Sequence, residues 1–230
     1  EDTTPFFIKY ANNWMFNGIP KDQRTELMKK TWDLVKHYYT YNETDRLLNL
    51  VNHKDIFKNA TSKKFKSDLF EFFKDEKYKK MKVLELGACQ GDTTRIFSEL
   101  FETVYAVDKN RENIQILKQK CKDVDNVEAS IMDVTNDTWD FPQVDVVFVD
   151  ASHDYPQVAI DIQKCIDMFD NPIIILDDYG NPNNRNIRAS IDDKIKEGKI
   201  KVDSLIGEDV GFLTKSGWKM IDREGVICKA

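Results

Sequence analysis

The sequence predicts an α/β domain, a mostly parallel seven-stranded sheet with helices on both faces. Three observations predict it. From Lys82 onward, short and nearly all-apolar runs alternate with amphipathic stretches, the pattern of strands buried on both faces by crossover helices. The first run ends in a glycine turn that passes at once into a helical pattern. After Gly198 the chain turns strand-like, with pieces at 200–206, 210–214, 218–221 and 226–228 separated by Gly207, Gly217 and Gly225, which predicts an antiparallel edge closing the sheet.

In chain order, residues 1–80 read as an arm and helices packed on the core, and 81–230 as the binding domain. Residues 1–20 are aromatic and irregular (Phe6, Phe7, Tyr10, Trp14, Phe16), an arm or a lid. A helix starts after Pro20 with Asp22 as its cap and Leu27, Thr31, Leu34, Val35 and Tyr38 at helical spacing. A short one covers Leu47 to Val51, and a third runs from Ser62 with Phe65, Leu69, Phe72 and Phe73 inward. Strands follow at 82–86, 103–108, 126–132, 144–149 and 173–176, with helices at 92–101, 111–121, 156–169 and near 184–197.

The stretch Val83-Leu84-Glu85-Leu86-Gly87-Ala88-Cys89-Gln90-Gly91-Asp92 is strand, turn and helix N-terminus in one. Such a unit makes a nucleotide-type crevice at the carboxyl end of its strand. A pyrophosphate cofactor wants Gly-x-Gly-x-x-Gly with N–H groups facing anionic oxygens. Here the glycines are spaced Gly-x-x-x-Gly, and Glu85 and Asp92 flank them. Two carboxylates repel a phosphate but suit an ammonium and a sulfonium, the charges of S-adenosylmethionine. Asp108 ends the second strand about 20 residues on, where an acid accepts from ribose hydroxyls. NAD-binding folds share that acid, and any tight turn needs glycine.

Further acids end later strands: Asp150 in Asp150-Ala151-Ser152-His153-Asp154-Tyr155, then Asp177 and Asp178. Loops at neighbouring strand ends face one crevice, so these carboxylates converge and repel unless protonated or neutralised by a cation. An all-oxygen set selects Mg²⁺, Mn²⁺ or Ca²⁺ over zinc; the alternative is that they cap helices or bind the cofactor's amino group. His153 is a candidate base for a substrate hydroxyl, with Asp154 as the competing candidate. Arg185 or Arg188 could bind an acceptor, or each is a solvated helix residue.

The net charge of −6 and pI near 5.2 argue against a dedicated nucleic-acid binder. Residues 54–82 carry ten lysines against five acids, read as a solvated helix face. No run of 18 apolar residues spans a membrane. Four scattered cysteines, Cys89, Cys121, Cys165 and Cys228, predict reduced thiols in a cytoplasmic protein, and the Asn-x-Thr sequons at Asn42, Asn59 and Asn136 read as chance. The start, Glu1-Asp2-Thr3-Thr4-Pro5, lacks both an initiator methionine and a signal-peptide pattern, which reads as a segment of a longer protein.

The Glu-Leu-Gly-Ala-Cys-Gln-Gly turn with the strand-end acids resembles the class I S-adenosylmethionine-dependent O-methyltransferases over roughly residues 80–230. The turn has Cys89 where the commonest form has a middle glycine, and so is nearest the variant of the metal-dependent catechol enzymes. The resemblance implies that Glu85, Gly87, Ala88, Gly91 and Thr93 line the methionine part of the cofactor. It assigns Asp108 to the ribose, and Met132 and Asp133 to the adenine. Asp150 also borders the cofactor and, with Asp177 and Asp178, matches the metal ligands. His153 falls where the catechol enzymes carry a lysine base. Val-Asp-Ala-Ser-His-Asp-Tyr with Leu-Asp-Asp-Tyr is similar to small O-methyltransferases acting on sugars. That implies an acceptor with vicinal hydroxyls, for instance a deoxyhexose such as rhamnose, in the methyltransferase module of a chlorovirus-type glycan-building protein. A catechol acceptor, a Rossmann oxidoreductase and a non-catalytic binding module are the alternatives.

Overall fold

The computed structural model describes residues 61–181, 185–214 and 217–230, all within a compact unit running from Leu47 to Ala230. The expected aromatic arm and the two helices before residue 60 lie outside the described residues. Helix α1 (Lys63–Phe73) starts where expected, with Ser62 as N-cap accepting from the Phe65 N–H at 3.0 Å. Its Phe65, Leu69 and Phe73 are fully buried, each worth about 1.5–3 kcal/mol. That is why α1 belongs to the core although its other face carries lysines.

The strands are β1 (Lys82–Leu86), β2 (Thr103–Asp108), β3 (Val127–Ile131), β4 (Val146–Val149), β5 (Ile173–Leu176), β6 (Lys201–Thr214) and β7 (Gly217–Lys229). Helices α2 (Asp92–Leu100), α3 (Arg111–Lys120), α4 (Tyr155–Met168) and α5 (Arg185–Lys196) connect them. The sheet order is β3-β2-β1-β4-β5-β7-β6. The first five strands pair in parallel, and β7 runs antiparallel to both β5 and β6. Alternate residues of each strand feed one of two cores. Val83 and Phe148 pack with α1, α2 and α3, while Leu84, Val147 and Ile174 pack with α4 and α5. Central strands covered on both sides must be apolar at nearly every position, which is what made them readable.

The C-terminal strands differ from expectation. Four short pieces were expected, yet two long strands form, because their glycines sit inside the ladder. Gly207 (φ +88°) lies at a register shift between Ile206 and Asp209, a bulge. Gly225 lies under the Phe65 ring, where a Cβ would come within 2.3 Å of it. Glycine here marks close approach rather than a break.

Asp161 on α4 is fully buried. Gln157 donates to its Oδ1 at 2.7 Å, and its Oδ2 is buried with no hydrogen-bond partner. Burial pushes its carboxyl from the usual 3.8 up to about 6. With the folded value raised, this group's stabilising contribution is present below the unfolded value and is lost as pH rises through about 6. Asp161→Asn, which never ionises, is expected to stabilise the fold by about 1–3 kcal/mol at neutral pH and by little near pH 4. Thermal melts at both pH values check this, and an equal shift at both would contradict it. Among the described residues, no helix is long and apolar enough to cross a membrane.

Candidate functional site

The strand register lines up the site. Leu86 pairs with Val107 on one side and Val149 on the other, and Val149 pairs with Leu176. The next residue in each strand or loop is therefore Gly87, Asp108, Asp150 and Asp177, side by side along the carboxyl edge. Neighbouring strands lie about 4.8 Å apart, so the glycine turn and three carboxylates line up along one edge of the sheet.

The turn needs its glycines for separate reasons. Gly87 has φ +90°, and a Cβ there would lie 2.3 Å from the Asp150 carbonyl oxygen. Gly91 has φ +82°, and a Cβ would come within 2.6 Å of the Leu117 side chain. Cys89 also takes a positive φ, of 46°, and its N–H donates to Asp108 Oδ2 at 2.9 Å. The Gly87 and Ala88 N–H groups both donate to the Val107 carbonyl at 2.9 Å, so the turn is bound to the end of β2. Asp108 Oδ1 accepts from the Asn110 N–H at 2.7 Å. Asp108 is thus both a brace of the turn and a strand-end acid beside it.

Glu85 is 1% exposed and accepts from Thr94 Oγ1 at 2.5 Å. Burial, chiefly, pushes its carboxyl up to about 8, while the Thr94 hydrogen bond and the charge of Lys66 pull it down. Asp92 forms an ion pair with Lys120 on α3, and its charge adds to the upward push on the Glu85 carboxyl. Thr93 is buried, with its hydroxyl 3.2 Å from that of Thr61. Its side chain braces α2 against the segment before α1. Met132 is buried beside the end of β3 and its N–H donates to the Asp108 carbonyl at 3.1 Å. Asp133 holds its own loop, accepting from the Thr135 N–H at 3.0 Å and Asn136 Nδ2 at 2.9 Å. The Asn136 bond holds its carboxyl below the ordinary range.

Asp150 and Asp177 are both pushed well above the usual carboxylate range, by burial first and then by each other's neighbours: Asp178 and Glu85 for Asp150, Asp150 and Asp178 for Asp177. Asp177 Oδ1 is buried without a hydrogen-bond partner. Asp178 has φ +59°, which turns its side chain to His153: Nδ1 stands 3.1 Å from Asp178 Oδ2. That bond raises the imidazole's proton affinity. Asn181 Nδ2 donates to the other oxygen at 2.8 Å. Asp178 is thus engaged with His153, and among the described residues no three His, Cys, Asp or Glu side chains form a group placed to hold a metal. Asp154 is exposed at the N-cap of α4 and makes no side-chain cap bond; its charge adds to the field on His153.

Arg188 is occupied rather than waiting for an acceptor. It pairs with Asp222 at 2.7 Å and lies over the Tyr179 ring. The Arg185 side chain lies outside the described residues. Two participants were not legible. Lys66 reads as one of a solvated lysine run, yet it is 3% exposed. Glu224 on β7 accepts from the Ser62 N–H at 2.8 Å and from Ser62 Oγ at 2.5 Å, and its charge raises both Asp150 and Asp177. Lys66 stands three residues before Leu69 and seven before Phe73, both buried, so a helical period sets it beside the inward stripe.

Glu85 gives a pH prediction. At neutral pH its carboxyl is mostly protonated, and a ligand ammonium favours the carboxylate. Binding of S-adenosylhomocysteine is expected to release up to about one proton near pH 7 and to tighten as pH rises through about 8. Calorimetry in buffers of different ionisation enthalpy reads this; proton uptake would contradict it.

Residues 84–179 match the family described as a methyltransferase domain. The matched stretch begins in β1 and ends just past β5, taking in the turn, Asp108, Asp150, His153 and both aspartates. Among curated proteins, no sequence matches this chain. Of solved structures, a precorrin-8w decarboxylase from Methanobacterium thermoautotrophicum is similar, at 17% identity and TM-score 0.54 over 79% of this chain and 96% of that one. A precorrin-6y C5,15-methyltransferase from Geobacter metallireducens gives 13% and 0.51 over 78% and 97%. An S-adenosylmethionine-dependent methyltransferase from Methanosarcina mazei gives 10% and 0.51 over 70% and 96%. Likeness at such identity carries the fold and no acceptor. The fold is that of the Rossmann-like class I methyltransferases, and with the match over 84–179 it supports an S-adenosylmethionine-dependent methyltransferase.

Proposed function

We propose that this chain moves the methyl group of S-adenosylmethionine to a hydroxyl of a sugar, such as a deoxyhexose of a glycan. The observation that carries the reading is the His153–Asp178 pair at the ends of β4 and β5, in line with the glycine turn. The acceptor oxygen attacks the methyl carbon opposite the sulfur. The carbon–sulfur bond breaks, its electron pair stays on sulfur, and S-adenosylhomocysteine leaves. Asp178 holds Nδ1, so Nε2 is the nitrogen that takes the hydroxyl proton, and the carboxylate stabilises the imidazolium formed. The crevice residues Ser152, His153, Asp154 and Asn181 are polar and at least partly exposed, which suits a sugar better than a flat ring.

A divalent cation, Mg²⁺, Mn²⁺ or Ca²⁺, belongs to the same proposal, with Asp150, Asp177 and Asp178 as its holders. In its favour stand the partnerless Asp177 Oδ1 and the mutual repulsion of the acids. Once bound it would supply acidity to the acceptor hydroxyl. The test is transfer of labelled methyl to a panel of glycans and catechols, with and without a chelator. Label on a sugar supports the proposal, and label on catechols alone replaces the acceptor. Transfer undiminished by chelation and by Asp177→Ala removes the cation. No transfer to any acceptor by a chain that binds the cofactor favours a binding module.

A further inference from the structure

Three elements meet beside the His153–Asp178 pair, and Arg188 is where they join. Asp178 opens a tight turn at the end of β5: its carbonyl accepts from the Asn181 N–H at 3.1 Å, across Tyr179 and Gly180. Its own φ of +59° is one that a residue with a Cβ keeps only where its surroundings hold it. Both residues inside the turn are held. Gly180 lies against β7, where a Cβ would come within 2.4 Å of the Arg223 carbonyl oxygen. Tyr179 is buried in the core shared with α4 and α5, and its hydroxyl donates to Asp192 Oδ1 at 3.0 Å. The Arg188 guanidinium lies over that ring, 4.8 Å from its centre. It joins Asp222 of β7 at 2.7 Å and Asp192 of its own helix at 3.4 Å. A planar fork with five donors can meet two carboxylates and a ring face together.

We propose that Arg188 is a positioning residue of the site: clamped to β7, it locks Tyr179 and so sets the turn in which Asp178 faces His153. The inference rests on the base pair of the proposed function, and Arg188 stands beyond the stretch 84–179 that the methyltransferase family matches. It acts through Tyr179, the residue that follows Asp178. The distances say how closely the pair has to be held. His153 Nδ1 stands 3.1 Å from Asp178 Oδ2, and a shift of about half an ångström would take it out of hydrogen-bond range. The imidazole is half exposed, so packing alone does not fix its ring, and the bond to Asp178 orients it. An arginine acting merely as a stitch between α5 and β7 would matter to stability and not to His153.

Two readouts on the full chain separate these, and one of them needs no acceptor. With Nδ1–H donated to Asp178, the neutral ring of His153 is held in the Nδ1–H tautomer, whereas a free imidazole favours Nε2–H. Nitrogen NMR of isotopically labelled rings tells the tautomers apart, and His153→Ala assigns the signals among the three histidines. Arg188→Met is expected to move His153 toward the Nε2–H form. Arg188→Lys, which keeps a cation over the Tyr179 ring, is expected to retain most of the wild-type spectrum. In transfer assays Arg188→Met is expected to lower kcat by about 10–100-fold, the effect of misplacing a reacting group by about 1 Å. The acceptor KM and the Kd for S-adenosylhomocysteine should stay as they are. In the His153→Ala background the same change is expected to cost under about threefold. The Nε2–H form in the wild type, or the wild-type spectrum in Arg188→Met, would overturn the proposal, as would equal losses of kcat in both backgrounds. A raised acceptor KM at unchanged kcat also overturns it, marking Arg188 as an acceptor contact. If Arg188→Met does not fold, Arg188→Gln gives the same comparisons. A wild-type chain that transfers no methyl sinks the proposed function instead, and the ring spectra still decide the role of Arg188.

Discussion

Replacing His153 with alanine is expected to lower methyl transfer by about 10²–10⁴-fold, the usual range for loss of a positioned general base. Cofactor binding should change little, because His153 contacts Asp178 and not the glycine turn. The imidazole is half exposed, so its removal leaves no buried cavity and little stability is at stake. Single-turnover assays with labelled cofactor, beside calorimetry with S-adenosylhomocysteine, separate the effects. If turnover survives with binding intact, Asp154 or a carboxylate of the crevice is the base. Asp178→Asn supplies the companion result: with the carboxylate gone the imidazole loses the bond that raises its proton affinity. The rising limb of the pH–rate profile should then move to lower pH, with a smaller maximum.

Gly87→Ala is the second large effect. The new methyl would need a positive φ and would lie 2.3 Å from one backbone oxygen and 2.8 Å from the Ala151 Cα, neither of which can swing aside. Strain and overpacking together are expected to cost about 2–5 kcal/mol. The turn proposed to seat the cofactor would part from β4, so binding should be lost as well. Gly198→Ala is the control, since that glycine also has a positive φ, of 68°, but nothing within 4 Å of the added Cβ. It is expected to cost only about 1–2 kcal/mol and to bind normally. Equal losses at both glycines would mean that crowding against Asp150 is not what the turn requires.

How much of this was written in the sequence varies by residue. β1, β2 and β5 were legible to the residue because burial on both faces leaves mostly apolar side chains. The strand-end acids were legible for the same reason reversed, each being the first polar residue after such a run. Their pairing was not. His153 and Asp178 lie 25 residues apart on two loops, and their meeting depends on the positive φ of Asp178, which no spacing rule announces. The Asp92–Lys120 ion pair was not legible because Lys120 lies a strand and a helix away in sequence and reaches Asp92 only once α2 and α3 pack. Lys66 was hidden by its neighbours: Lys63 and Lys64 are exposed, and a lysine run reads as solvent-facing until the helix is rotated onto its phenylalanines. Gly225 read as a strand break, while its cause, the Phe65 ring above it, is 160 residues away.

The central claim is that acids along the carboxyl edge of this sheet receive a positively charged donor and not a pyrophosphate. Titrating the full chain with S-adenosylhomocysteine and, separately, with NADH tests it most directly. Saturable binding of the first, weakened by Glu85→Gln, with no binding of the second is the predicted result. Saturable binding of NADH with none of S-adenosylhomocysteine would contradict it.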